Sequence, residues 1–137
     1  MSEARRERLR FLEFEFATEP DGRCRANVVL EGDPGDRFVG AADGLGTRAA
    51  ELRCAAQAAT TALEGAVEGK LKLDLLGVKA VRAFDSTVVI VSLSCHGESQ
   101  STRLVGSCLT DGEEHRCAAL AVLNATNRVL GNLVFMR

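Results

Sequence analysis

The side chains able to do chemistry in this chain are few and scattered. There are two histidines, His96 and His115, and five cysteines, Cys24, Cys54, Cys95, Cys108 and Cys117. Sequence spacing alone sets no Ser or Cys side chain in position against either histidine. A thiol nucleophile with its imidazole base would have to be assembled in space, from Cys108 or Cys117 with His115. The cysteines are odd in number and show no C-x-x-C spacing, so they fit neither a disulfide framework nor a zinc site. Metal-binding histidine spacings are absent, and so is a phosphate loop: Gly44 and Gly46 are spaced for one, but Ala49 stands where the third glycine belongs.

Two polar loops remain. One holds Asp43, Gly44, Gly46 and Thr47, the other Thr110, Asp111 and Glu114. Each precedes a segment of helical period, and the free N–H groups of a helix start can hold a carboxylate. Asp43, Asp111, Glu113 and Glu114 could equally meet an ammonium group. The same residues also suit a purely local role, with Thr47 as N-cap and Asp111 with Glu114 as a capping box. Both roles stand open at this point.

The elements that must position these loops are read from an internal repeat. Arg53 to Glu64 (RCAAQAATTALE) returns as Arg116 to Asn127 (RCAALAVLNATN), and each copy follows a Val-Gly step, Val39-Gly40 and Val105-Gly106. A repeat of this kind sets the architecture. Repeat one spans about 9–69 and repeat two about 70–131, within one domain of residues 1–137. In the first, Leu12, Phe14 and Phe16 alternate with glutamates as in a half-buried strand. A second strand over 23–31 turns Cys24, Ala26, Val28 and Leu30 inward, Gly32 to Asp36 forms the next turn, and a third strand covers 37–42. Thr47 then opens a helix to about Glu68, with Leu52, Ala56, Ala59, Leu63 and Ala66 as its apolar stripe and Gly69 as its C′ residue. The second repeat has a bulge at Leu76-Gly77, a turn at Asp85-Ser86, a last strand over 102–109 and a helix from Asp111 to about Leu130. The short tail from Leu133 adds edge pairing or joins a dimer contact. The expected fold is α+β: two βββα repeats related by a pseudo-twofold, forming an antiparallel sheet with two helices packed on one face.

One strand calls for a partner. Residues Thr87 to Cys95 are apolar on both faces, with Val89, Val91 and Leu93 on one and Val88 and Ile90 on the other. Helices on a single face leave the second uncovered, and the simplest cover is a second copy. A homodimer through Val88 and Ile90 is therefore expected.

Composition narrows the partners. The chain is 46% hydrophobic and 26% charged, with net charge −2, so a nucleic acid is not expected. Trp and Tyr are absent, and six Phe supply all the aromatic content, a poor stacking platform for bases. The uncharged run Val88 to Cys95 is far shorter than the ~20 residues of a membrane helix, and the N-terminus lacks a signal-peptide core. A cytoplasmic protein without cofactor, metal or membrane partner is expected.

The order of elements, the strand entry Lys72 to Val81 (KLDLLGVKAV), Gly106 in the last strand and the helix Leu123-Asn124-Ala125-Thr126-Asn127-Arg128 together resemble the C-terminal regulatory and dimerisation domain of the 2-isopropylmalate synthase family. That resemblance implies a dimeric module that binds an amino-acid-like effector. The family's catalytic barrel has no counterpart in these residues, so synthase activity is not implied. The loop Ala42 to Thr47 departs from the family's Gly-Pro-Val-Asp-like entry, so leucine is not carried over as the ligand. The expected function is a freestanding regulatory or small-metabolite binding module, free or docked on a metabolic enzyme. The alternatives are a small enzyme with a Cys/His site at the dimer contact and a structural or assembly protein.

Overall fold

The computed structural model describes residues 9–32, 35–68, 70–97, 100–127 and 134–135. The first unit comprises β1 (Leu9–Thr18), β2 (Arg23–Glu31), β3 (Arg37–Leu45) and α1 (Arg48–Ala66). The second comprises β4 (Lys72–Ala83), β5 (Ser86–His96), β6 (Ser101–Thr110) and α2 (Glu114–Asn127), and a short β7 (Val134–Phe135) follows. This is an α+β fold of two βββα units. The strands are divided between two sheets, ordered β3-β2-β1-β7 and β4-β5-β6. Pairing is antiparallel except where β7 joins β1 in parallel, which ties the end of the second unit to the first sheet.

The helices form the middle layer. Helix α1 packs on β2 and β3 of its own sheet and on β4 of the other, while α2 packs on β5 and β6 and meets the first sheet through Phe11 and Phe16 of β1. Burial therefore extends beyond one stripe: Cys54, Ala55, Ala58, Thr60 and Ala62 of α1 are buried along with the expected Leu52, Ala56, Ala59, Leu63 and Ala66. The helices run side by side in the same direction. Arg48 and Glu51 meet Glu114 and His115 at their N-terminal ends, and Leu63 and Thr126 line one gap at the other.

Two glycines fix how closely the layers approach. A Cβ on Gly40 of β3 would lie 2.0 Å from the Ala58 carbonyl oxygen and 2.5 Å from the Ala62 nitrogen. On Gly106 of β6 it would lie 2.2 Å from the Ala121 oxygen and 2.5 Å from the Ala125 nitrogen. The Val-Gly step and the alanines that recur in both repeats are thus two sides of one contact, backbone on backbone.

Local chemistry moves several boundaries from their sequence-based positions. Strand β3 continues to Leu45, paired with Arg23, and so takes Asp43 and Gly44 into the ladder. Leu12 does not alternate inward: a bulge between Phe11 and Glu13 leaves it exposed and turns Phe14 and Phe16 toward the helices. The expected bulge in β4 lies between Leu75 and Gly77. Because Ala83 pairs with Ser86, the turn between β4 and β5 is Phe84-Asp85, one residue earlier than expected. Both have positive φ, 54° and 64°, as a two-residue hairpin demands. Helix α1 ends with Glu68 in the left-handed region (φ 57°), its N–H bonded to the Gly65 carbonyl at 3.2 Å. The chain thus turns before Gly69, which lies outside the described residues, as do Asp33 and Pro34 of the second turn and residues 128–131, where the second helix was expected to end.

The glycine contact is testable by urea denaturation. Gly40→Ala or Gly106→Ala forces the layers apart and should cost about 3 kcal/mol or more. Gly65→Ala is the control: this exposed helical position has nothing within 4 Å of its Cβ, so it should gain roughly 0.5–1 kcal/mol.

Candidate functional site

Both loops singled out in the sequence lie where the two helices start. Thr47 caps α1, its Oγ1 accepting from the Ala50 N–H at 3.2 Å. The Gly46 N–H donates to the Gly22 carbonyl at 2.8 Å, fastening this loop to the turn between β1 and β2. Asp43 stands on the open face of the first sheet, 3.8 Å from Arg23, and Gly44 faces the helix layer. Before α2 the expected capping box is replaced. Thr110 Oγ1 accepts from the N–H groups of Gly112 and Glu113 at 3.3 and 3.0 Å, because the Asp111 carboxylate is turned away to accept the Ser86 hydroxyl at 2.7 Å. Glu114 binds Arg48 at 2.7 Å and Glu51 binds His115 Nε2 at 2.9 Å. The acidic groups at the helix starts are therefore already matched with basic side chains or a hydroxyl.

A comparison of the two halves reveals the site. In one, α2 closes tightly on β1: the His115 ring stacks on Phe16 with centroids 3.9 Å apart, and Arg116 lies over Phe11 at 4.8 Å. The repeat places Leu52 in α1 where His115 stands and Arg53 where Arg116 stands. The strand registers place Ala80 of β4 where Phe16 stands in β1. Arg53 finds a partner, donating to the Leu75 carbonyl at 2.9 Å, but an alanine facing a leucine fills little space. A groove of about 430 Å³ is left between the first turn of α1 and β4, with Leu52, Val78 and Ala80 in its wall. That volume lies within the usual range of ligand sites, ~300–1,000 Å³.

Polar groups converge on the groove. Arg48 and Arg82 line it, Lys79 borders it from the outer face of β4, in one row with Ile90, and among the described residues neither Lys79 nor Arg82 has an ion pair. Thr87 lines it as well and is only 6% exposed, yet its hydroxyl has no hydrogen-bond partner among the described residues. Of the residues singled out in the sequence, Glu114 reaches the rim through Arg48, and Thr47 begins the helix that forms one wall. Asp43, Gly44, Gly46, Thr110 and Asp111 do not line it. Arg48, Lys79, Arg82 and Thr87 escape a reading of the sequence because no motif links them. At the opposite ends of the helices, Leu63, Leu73, Cys95, Leu104 and Thr126 enclose a gap too small for a water molecule.

The thiols and the second histidine form separate groups. All five cysteines are free. Burial and the neighbouring Cys24 thiol push Cys54 up from 9.0 to about 12; burial and contact with Cys108 likewise raise Cys117. Each is thereby held as an inert thiol. Cys108 Sγ–H points to the Leu109 carbonyl at 3.9 Å and His115 is engaged by Glu51, so the structure does not assemble the Cys/His pair. His96 meets hydroxyls that the sequence spacing did not place beside it. Its Nδ1 lies 2.6 Å from Ser101 Oγ, and its Nε2 lies 3.0 Å from Asp74 and 3.2 Å from Ser94. Acyl transfer would further need oxyanion donors and a cavity. This cluster instead lies on the open face of its sheet, with the Asp74 side chain 49% exposed.

No family model matches the chain, and no curated protein matches it.

The thiol environments have a measurable consequence. Since the folded state holds the Cys54 proton more tightly than the unfolded chain, its contribution to stability is complete below pH 9 and is lost as pH rises toward 12. Denaturant midpoints should fall across that window, and Cys54→Ala should flatten the slope. At neutral pH a thiol reagent should modify Cys108 first and reach Cys54 and Cys117 only on unfolding.

Proposed function

We propose that this chain is a non-catalytic, homodimeric module that binds a small metabolite in the groove between α1 and β4, acting on its own or as a regulatory subunit of a metabolic enzyme. The observation that carries the reading is the unequal filling of two equivalent places. Packing that is complete at Phe16 and His115 is left open at Ala80 and Leu52, and basic groups and a free hydroxyl gather at the opening. The reading agrees with the resemblance to a regulatory, dimer-forming domain. Five unpaired thiols fit a reducing compartment, and no helix among the described residues is long and apolar enough to cross a membrane. A cytoplasmic location is proposed on the ground of the thiols.

The second copy is assigned to the open face of the β4-β5-β6 sheet. On the first sheet the open face sets the exposed Val39 and Leu45 among matched charges, with Arg10 on Glu31, Arg25 on Glu19 at 3.5 Å and Arg37 on Glu31 at 4.0 Å. The second sheet differs. Val81, Val88 and Leu109 form one row across it, and Ile90 and Val105 lie in the next two. Leu109 is 63% exposed, and Phe84 in the adjoining turn is 97% exposed. Farther along the same face, Asp74 and Arg103 flank Ser94 in one row. Opposite charges on one patch are self-complementary across a twofold, where each residue meets the other's partner. Large exposed apolar patches of this kind mark interaction sites.

Light scattering on the purified protein tests the assembly: the expected mass is twice 14.6 kDa, and Ile90→Asp should yield monomers or aggregates. A variant that remains dimeric would remove the second sheet as the contact. A thermal-shift panel tests binding, because a ligand of the folded state raises the melting temperature as RT ln(1 + [L]/Kd).

A further inference from the structure

The chemistry of the groove goes further than the module reading on which it rests. The geometry points to a small aliphatic carboxylate bearing an oxygen acceptor beside the carboxylate and no amino group, a 2-oxo or 2-hydroxy acid, as the ligand of the α1–β4 groove. Three observations combine. Arg82, without an ion pair among the described residues, stands at the opening beside Arg48, which Glu114 also holds, and a guanidinium fork matches a carboxylate in geometry as well as charge. Leu52, Val78 and Ala80 offer an aliphatic surface beside them. Thr87 lies in the wall, and its hydroxyl, without a hydrogen-bond partner among the described residues, is free to donate to a ligand atom.

The absence of a carboxylate decides against an amino acid. Among the described residues no Asp or Glu lines the groove, and the nearest helix-start acids are engaged, Glu114 by Arg48 and Glu51 by His115. An α-ammonium group would enter a positively charged site without a counter-ion. An oxo or hydroxyl oxygen in the same place would instead accept a hydrogen bond from the Thr87 hydroxyl. The carboxylate belongs at Arg82, and the hydrocarbon body lies in the space that Phe16 occupies in the other half.

Three probes separate these contributions on the intact protein: 4-methyl-2-oxopentanoate, leucine and 4-methylpentanamide. They share a branched aliphatic end and differ in the amino group and in the charge. The oxo acid should raise the melting temperature saturably, with leucine at least tenfold weaker and the amide without effect. Raising the salt concentration should weaken the oxo acid's binding. Arg82→Gln should weaken the oxo acid at least tenfold in a calorimetric titration. Ala80→Phe, which restores the ring of the other half, should abolish the heat of binding with an unchanged circular dichroism spectrum. Leucine binding as tightly as the oxo acid, or an unaltered affinity in Arg82→Gln, would overturn the ligand class and leave the module reading standing. No shift with any of the three, nor with the wider panel, would overturn both.

Discussion

Everything in this fold depends on two places where a strand backbone touches a helix backbone. At Gly40 and Gly106 no side chain intervenes, and the Ala58 to Ala62 and Ala121 to Ala125 turns press directly on the strands. Close approach brings many weak dispersion contacts into range at once, which lets a core of alanines hold a structure that would otherwise require larger side chains. It also sets the depth of the helix layer. With depth fixed, the second sheet can reach the same helices from the other side, and the ends of α1 and α2 are brought level with one another. The pairs Arg48 with Glu114 and Glu51 with His115 follow from that levelling.

Symmetry in the backbone makes asymmetry in the side chains informative. The two units share their bulges, at Leu12 and Leu76, and their seating glycines, and each has an arginine reaching across to the neighbouring sheet. Arg116 finds the Phe11 ring and Arg53 the Leu75 carbonyl. Against that shared plan the difference at Phe16 and Ala80 is local. Filling one place with a stacked ring and leaving the other lined by small apolar and basic residues costs packing, and the open half supplies a concave surface with charge at its edge.

Much of this was legible in the chain itself. The repeat gave the order and kind of every element of the two units, because the alanine-rich copies and the Val-Gly steps are the visible residue of the glycine contacts. The inward set of β2 and the bulge in β4 could be read from alternation. The bulge in β1 could not, since Leu12 keeps the apolar pattern while standing on the outside. Nor could the division into two sheets, because alternation reports which residues face a helix and not whose helix it is. The groove was hidden for a related reason. Its residues come from α1, β4 and β5, and only the pairing of Ala80 with Val89 shows that it stands in the place of Phe16. Where the sequence pointed to the loop acids, the structure shows them already satisfied at the helix starts, a role their composition suited equally well.

The position of the helices between the sheets bears on when the protein can fold during synthesis. When α1 emerges from the ribosome its own sheet can cover one side, but the residues destined for β4 and α2 are not yet made. The first unit must wait with half of an alanine-rich helix in water, and its sheet remains without the parallel strand that Val134 and Phe135 supply. Folding of the two units is thus joined in time as well as in space. The slow step is expected to be the non-local docking of the second sheet, after the last strand has left the tunnel.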